Sequence, residues 1–196
     1  SRFEEDSNLG LIAFRVLNYE TNIKNYYNEL NMRSDYFGTE QHYWSGCGGA
    51  YRRLIFEELG LWDEWGREAP FEFSVSAKSL YLGYTNKAFS DVYVFHHWST
   101  IGEPSQYRLS SIADYTASRS MLMFQLKYFP IDFYLIQSIV EQIWVCSKDV
   151  IFNRRLLLVR SIISGLLKSF HLTNQRLPLK KVDSRKLKLT FNFRGR

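Results

Sequence analysis

At 196 residues, 45% of them apolar, the chain belongs with globular proteins and has length for one domain with a core, or for one domain and an appendage. No apolar run approaches the roughly 20 residues that span a bilayer, so the expectation is a soluble chain or one lying on a membrane surface. The formal charge of +5 is uneven, and points to an anionic partner for the basic end.

Ser1 to Asp6 is polar and acidic, unlike a signal peptide. Leu9 to Leu17 is a nearly continuous apolar run of strand length, which suits a strand buried on both faces in an α/β sheet. Asn18 to Tyr36 is polar and rich in tyrosine, and reads as a connection or insertion; Glu40 to Trp44 could be a second strand. Gly46, Gly48 and Gly49 then permit either a turn or a close approach of backbone to ligand. From Ala50 the positions Tyr51, Leu54, Ile55 and Leu59 have helical spacing, with Gly60 where a helix C-cap belongs.

Phe71 to Leu82 predicts a second helix ended by Gly83, and Ala88 to Phe95 alternates like a strand. Ser110 to Phe129 predicts a long helix, broken by Pro130. Leu135, Ile136, Ile139, Val140, Ile143 and Trp144 form an apolar stripe. A further helix, Asn153 to Phe170, sets Leu156, Val159, Ile163, Leu166 and Leu167 against arginines. The last stretch has no period and is expected to be extended or disordered. From Asn153 onward only Asp183 opposes a long series of Lys and Arg, leaving the earlier part near neutral or acidic. Cys47 and Cys146 are far apart with no metal-type spacing, and read as reduced thiols in a cytosolic setting.

Four motifs stand in one order. Gly48-Gly49-Ala50 runs into Arg52-Arg53 and Leu59-Gly60-Leu61-Trp62-Asp63-Glu64. Phe71-Glu72-Phe73-Ser74-Val75-Ser76-Ala77-Lys78 is followed by Gly83-Tyr84. Val92 to Ser99 contains His96-His97, and Tyr115 to Pro130 contains Arg119-Ser120. Together, from about Leu9 to Pro130, they resemble family-2 glycosyltransferases, in particular rhamnosyltransferase-like members. The resemblance implies an α/β fold, the C-terminal part of a GT-A (Rossmann-like) domain followed by an α-helical appendage. It divides the chain into an acceptor-side part at 1–108, a helical and membrane-associating segment at 109–172 and a basic tail at 173–196. The family's aspartate pair, D-x-D, occurs nowhere in the sequence. The expectation is therefore a portion that lacks the nucleotide-binding half and is inactive by itself.

The implied activity is inverting transfer of a hexose or deoxyhexose from a nucleotide sugar to a surface polysaccharide or lipid-linked glycan. Glu72 would be the base that takes the acceptor's proton, favoured as an anion at a helix N-terminus; as a residue alone it could be only a first-turn acid. That register sets Ser74 at the family's second acid, and an alternative register moves Glu72 there and leaves the base position empty. Gly48 and Gly49 would approach the donor, or form an ordinary turn. Trp62 and Asp63 would contact sugar, and Trp62 could equally be core. His96 would ligate a divalent metal, Mn²⁺ or Mg²⁺, with imidazole and carboxylates suiting Mn²⁺ better, or be a strand-end histidine. Arg119 reads as a cleft residue or a solvated one.

The amphipathic Leu156 to Lys168 helix and the basic tail could lie on anionic lipid, or the helix could pack on its own domain. The place of action would be the cytoplasm, or the inner face of the cytoplasmic membrane. The rival reading is a non-catalytic carbohydrate- or membrane-binding module derived from such an enzyme. A basic membrane-surface or nucleic-acid adaptor stands behind it, nucleic acid being weakest because no recognised module accompanies the charge.

Overall fold

The apolar run at Leu9 forms strand β1 (Leu9–Asn18), and Leu9, Leu11, Ile12 and Ala13 are all buried. Successive side chains point to opposite faces of a sheet, so this strand is covered on both, as its composition leads one to expect. In this computed structural model the residues described are 1–18, 48–60, 63, 71–96, 111–132, 135–137, 139–140, 143–144, 157–169 and 175–180. They belong to two compact units. The first is Ser1–Trp62, Glu72–Ser99 and Lys186–Arg196, and the second is Asp63–Phe71 and Thr100–Arg185.

In the first unit β1 is the centre of a three-stranded mixed sheet with order β2-β1-β3. β2 (Gly49–Tyr51) pairs with it antiparallel, and β3 (Thr85–His96) pairs with it parallel. A parallel neighbour requires a crossover. Between β2 and β3 the chain forms helix α2 (Leu54–Leu59) and helix α3 (Phe71–Tyr81). The architecture is α/β. A short helix, α1 (Arg2–Glu5), precedes β1.

Two local expectations change here. The helical spacing from Ala50 is overridden, because Ala50 and Tyr51 pair with Ile12 and Leu11, and Gly49 with Ala13. Three ladder positions against the buried central strand outweigh a helical period only one turn deep. Gly48 and Gly49 accordingly join the sheet: the Gly48 carbonyl accepts from Phe14 N at 2.9 Å. Helix α2 begins only at Leu54, and ends at Gly60 with φ 74°. The strand expected from Ala88 begins three residues earlier, at Thr85, whose amide donates to Asn8 O at 2.8 Å. The strand considered at Glu40 to Trp44 lies outside the described residues.

Gly10 shows why the sheet and α3 fit. Pairing to β3 slips between Leu9 and Leu11, so Gly10 is an extra residue in the ladder. A Cβ there would collide with Ser79 Oγ and lie 2.5 Å from Tyr84 Cβ. Only glycine lets the end of α3 come down on β1. Ser79 Oγ instead donates to Asn86 Oδ1 at 2.6 Å, and Asn86 Nδ2 to Ser76 O at 3.4 Å, which satisfies a fully buried amide. From Ser74 to Leu80 every residue of α3 is buried, and Gly83, at φ 86°, ends the turn after it.

Arg52 ties the N-terminal segment to this sheet. Its guanidinium donates to Leu9 O at 3.0 Å, Phe3 O at 2.9 Å and Asp6 O at 3.3 Å, and lies over the rings of Phe3 and Tyr84. Its neighbour Arg53 is exposed and pairs with Glu57 one turn on.

In the second unit helix α4 (Ser111–Tyr128) ends before Pro130 as expected. Its last carbonyls have no partner within the helix, and the segment 175–180 supplies them. Leu177 N donates to Lys127 O at 3.0 Å, Leu179 N to Tyr128 O at 2.8 Å, and Arg176 Nη2 to Phe129 O at 2.6 Å. With Leu179 buried, this part of the chain's end is packed on the end of α4. Helix α5 (Leu157–Ser169) packs on α4. The described residues of the 135–144 stripe are helical.

Candidate functional site

The direction of α3 fixes where its charged first turn lies. Ser79 sits at Gly10 and Asn86, near the starts of β1 and β3. One turn earlier, Val75 packs with Leu11, Ala13 and Ala88, farther along both strands. The helix therefore runs antiparallel to the two parallel strands, and Glu72 lies toward their carboxyl ends. That is the side on which open α/β sheets present ligand sites.

Glu72 is half-buried, at the head of a helix buried along its next two turns. Ser74, at the family's second acidic position, is fully buried. A carboxylate there would be desolvated, at a far greater cost than a hydroxyl. Lys78, at the motif's arginine, is also buried, and its ammonium donates to Gly60 O at 3.3 Å. It thus links α3 to the residue that ends α2.

His96 is the last residue of β3 and is in register with Asn18. Helix rise carries Glu72 about 4.5 Å beyond Val75, and the strands continue about 16 Å beyond Ala13, so His96 lies about 12 Å farther along the strand direction. β3 covers this distance with three extra residues out of register, since Phe14 pairs with Phe89 but Arg15 with Tyr93. Gly48 and Gly49 are held in or beside the ladder on the far side of β1 from β3. Trp62 lies outside the described residues. Among the described residues no three His, Cys, Asp or Glu side chains converge as a metal site would require.

Asp63 belongs to the second unit, and its carboxylate is engaged there. Oδ1 accepts from Lys127 Nζ at 2.7 Å and Oδ2 from the Tyr128 hydroxyl at 2.7 Å; Asp63 and the Lys127 side chain are each about 8% exposed. The Lys127 ammonium also lies 5.3 Å from the centroid of the Tyr128 ring. Both carboxylate oxygens are thus bound by side chains from the end of α4. This buried pair and the Arg52 anchor are what the sequence did not disclose. Lys127-Tyr128 at the end of a long helix was the available signal, but its partner lies 64 residues away. Arg119, near the middle of α4, is partly buried, unlike a freely solvated helix residue.

No protein-family model matches this chain, and no curated protein matches it.

Proposed function

We propose that this chain is the acceptor-side part of a family-2-like glycosyltransferase of GT-A type, with Glu72 as the general base. One observation supports the reading above others. Glu72 is a partly buried carboxylate in the first turn of a crossover helix, at the carboxyl-end side of the parallel pair β1 and β3. In the proposed reaction Glu72 takes the proton from an acceptor hydroxyl as that oxygen bonds to the anomeric carbon. The bond from that carbon to the diphosphate breaks on the opposite face, and the nucleoside diphosphate leaves. The span of about 12 Å from Glu72 toward His96 along the strands suits a ligand as long as a sugar ring with its diphosphate. A lipid-linked acceptor would put the work at the inner face of the cytoplasmic membrane.

The test is transfer of labelled sugar from a panel of nucleotide sugars by the longest natural polypeptide that contains this chain. Glu72→Gln should lower turnover roughly 10²- to 10⁴-fold with the fold intact by circular dichroism. Turnover that survives the change would remove Glu72 from the mechanism. A second reading, a non-catalytic carbohydrate- or membrane-binding module, is favoured by the burial of Ser74 where the family has an acid. Glycan binding without turnover for any donor would establish it instead.

A further inference from the structure

A helix that packs on a neighbour ordinarily turns its large apolar side chains inward, and the described side chains of α5, residues 159–168, depart from this. Among them the buried positions are Ser161 and Gly165, one turn apart. A Cβ on Gly165 would stand 3.0 Å from Leu122 Cδ2 and 3.4 Å from the Arg119 carbonyl, so the small face is the one against α4. Val159, Ile163, Leu166 and Leu167 form one stripe at i, i+4, i+7 and i+8, and it faces away. Ile163 is 54% exposed and Leu167 62%.

The same unit repeats the pattern. In the helical segment near residue 140, Leu135 is buried, while Ile136, Val140, Ile143 and Trp144 are exposed at the same spacing, Trp144 to 62%. Apolar area of this kind left in water costs about 25 cal/mol per Å² relative to burial. Exposed stripes on two helices of one unit are more than the scattered apolar residues of an ordinary surface.

Charge selects the occupant. α5 contains no acidic residue; Arg160 borders its stripe, and Lys168 near its end and Lys180 beyond it are exposed as well. Across a two-fold contact between copies of the chain, the same patch meets itself, and these cations would face like charges. A layer of lipid phosphates would neutralise them while the acyl boundary takes the stripe. With 13 residues the helix is about 20 Å long, short of the roughly 30 Å hydrocarbon core. No helix among the described residues is long and apolar enough to cross.

We propose that the outward stripes of α5 and of the 135–144 segment form a docking surface for an anionic bilayer, on which this unit lies in the interfacial plane. The proposal goes beyond the transferase reading and does not require it, because vesicle binding needs no turnover and Glu72→Gln leaves it unchanged.

The test is cosedimentation of the full 196-residue chain with phosphatidylcholine vesicles, with and without phosphatidylglycerol. Binding is expected with phosphatidylglycerol and to weaken with added salt. Ile163→Gln with Leu167→Gln, both at exposed positions, should leave the melting temperature in place and weaken binding at least about tenfold. Arg160→Gln with Lys168→Gln should weaken it about thirtyfold, at about 1 kcal/mol per cation. Absence of sedimentation with either vesicle would overturn the proposal, as would binding that neither pair of changes alters. Self-association broken by the Ile163 and Leu167 changes, without vesicle binding, would overturn it in favour of a second copy.

Discussion

Asp63 and Lys127, 64 residues apart in the chain, meet in a 2.7 Å ion pair from which water is almost excluded. Removing one partner leaves the other charged and buried, which costs far more than the pair itself contributes. Lys127→Met should therefore lower unfolding free energy by about 3–5 kcal/mol. Tyr128→Phe, which removes one neutral donor, should cost about 1–2 kcal/mol. In the double variant Asp63→Asn, Lys127→Met part of the loss should return, because no isolated charge remains. Denaturant melts of these variants and of Asp63→Asn alone check this; additive losses in the double variant would refute the coupling.

The Gly10 position predicts a steric failure with no polar component. Gly10→Ala should destabilise by about 3 kcal/mol, at the upper end for overpacking a tight contact. Adding Ser79→Ala should not restore the protein, since Tyr84 Cβ would still be 2.5 Å from the new methyl group. Thermal unfolding of the single and double variants decides it, and full rescue by Ser79→Ala would place the conflict at the hydroxyl alone.

The two adjacent arginines should behave differently. Arg52 holds three carbonyls with a planar fork that an ammonium cannot reproduce. Arg52→Lys should cost about 2 kcal/mol, while Arg53→Lys, at a solvated pair, should stay within about 0.5 kcal/mol. Equal effects in urea titrations would show that the network around Arg52 contributes nothing specific.

Asp6 gives the pH dependence. Its carboxylate accepts from Lys87 Nζ at 2.7 Å and from Asn8 N at 3.0 Å. The bond from Lys87 first, and that from the Asn8 amide second, hold its carboxyl below the usual range. The unfolded chain then binds the proton more readily, so this contribution to stability is present above the ordinary carboxylate range and fades as pH falls through the lowered value. The gap in melting temperature between the native chain and Lys87→Met should be open at neutral pH and close below about pH 4. A gap unchanged in acid would contradict the assignment.

The sequence by itself determined the elements whose information is local. The nearly continuous apolar run of Leu9 to Leu17 suits a strand covered on both faces, and that strand is the centre of the sheet. Gly83 and Pro130 end their helices through backbone conformation and a missing amide, which any context must respect. Glu72 could be placed in a helix's first turn before any fold was known. Tertiary structure decided what depends on partners distant in the chain. Ala50 and Tyr51 became strand because β1 offered them a ladder, and Gly10 is required because Ser79 and Tyr84 descend on it. Asp63 is bound to Lys127 and Tyr128, 64 and 65 residues away in the chain. Hydrophobic period and turn chemistry act over one or two turns of chain and so are written locally, whereas the partner of a buried charge is set by which segments the fold brings together.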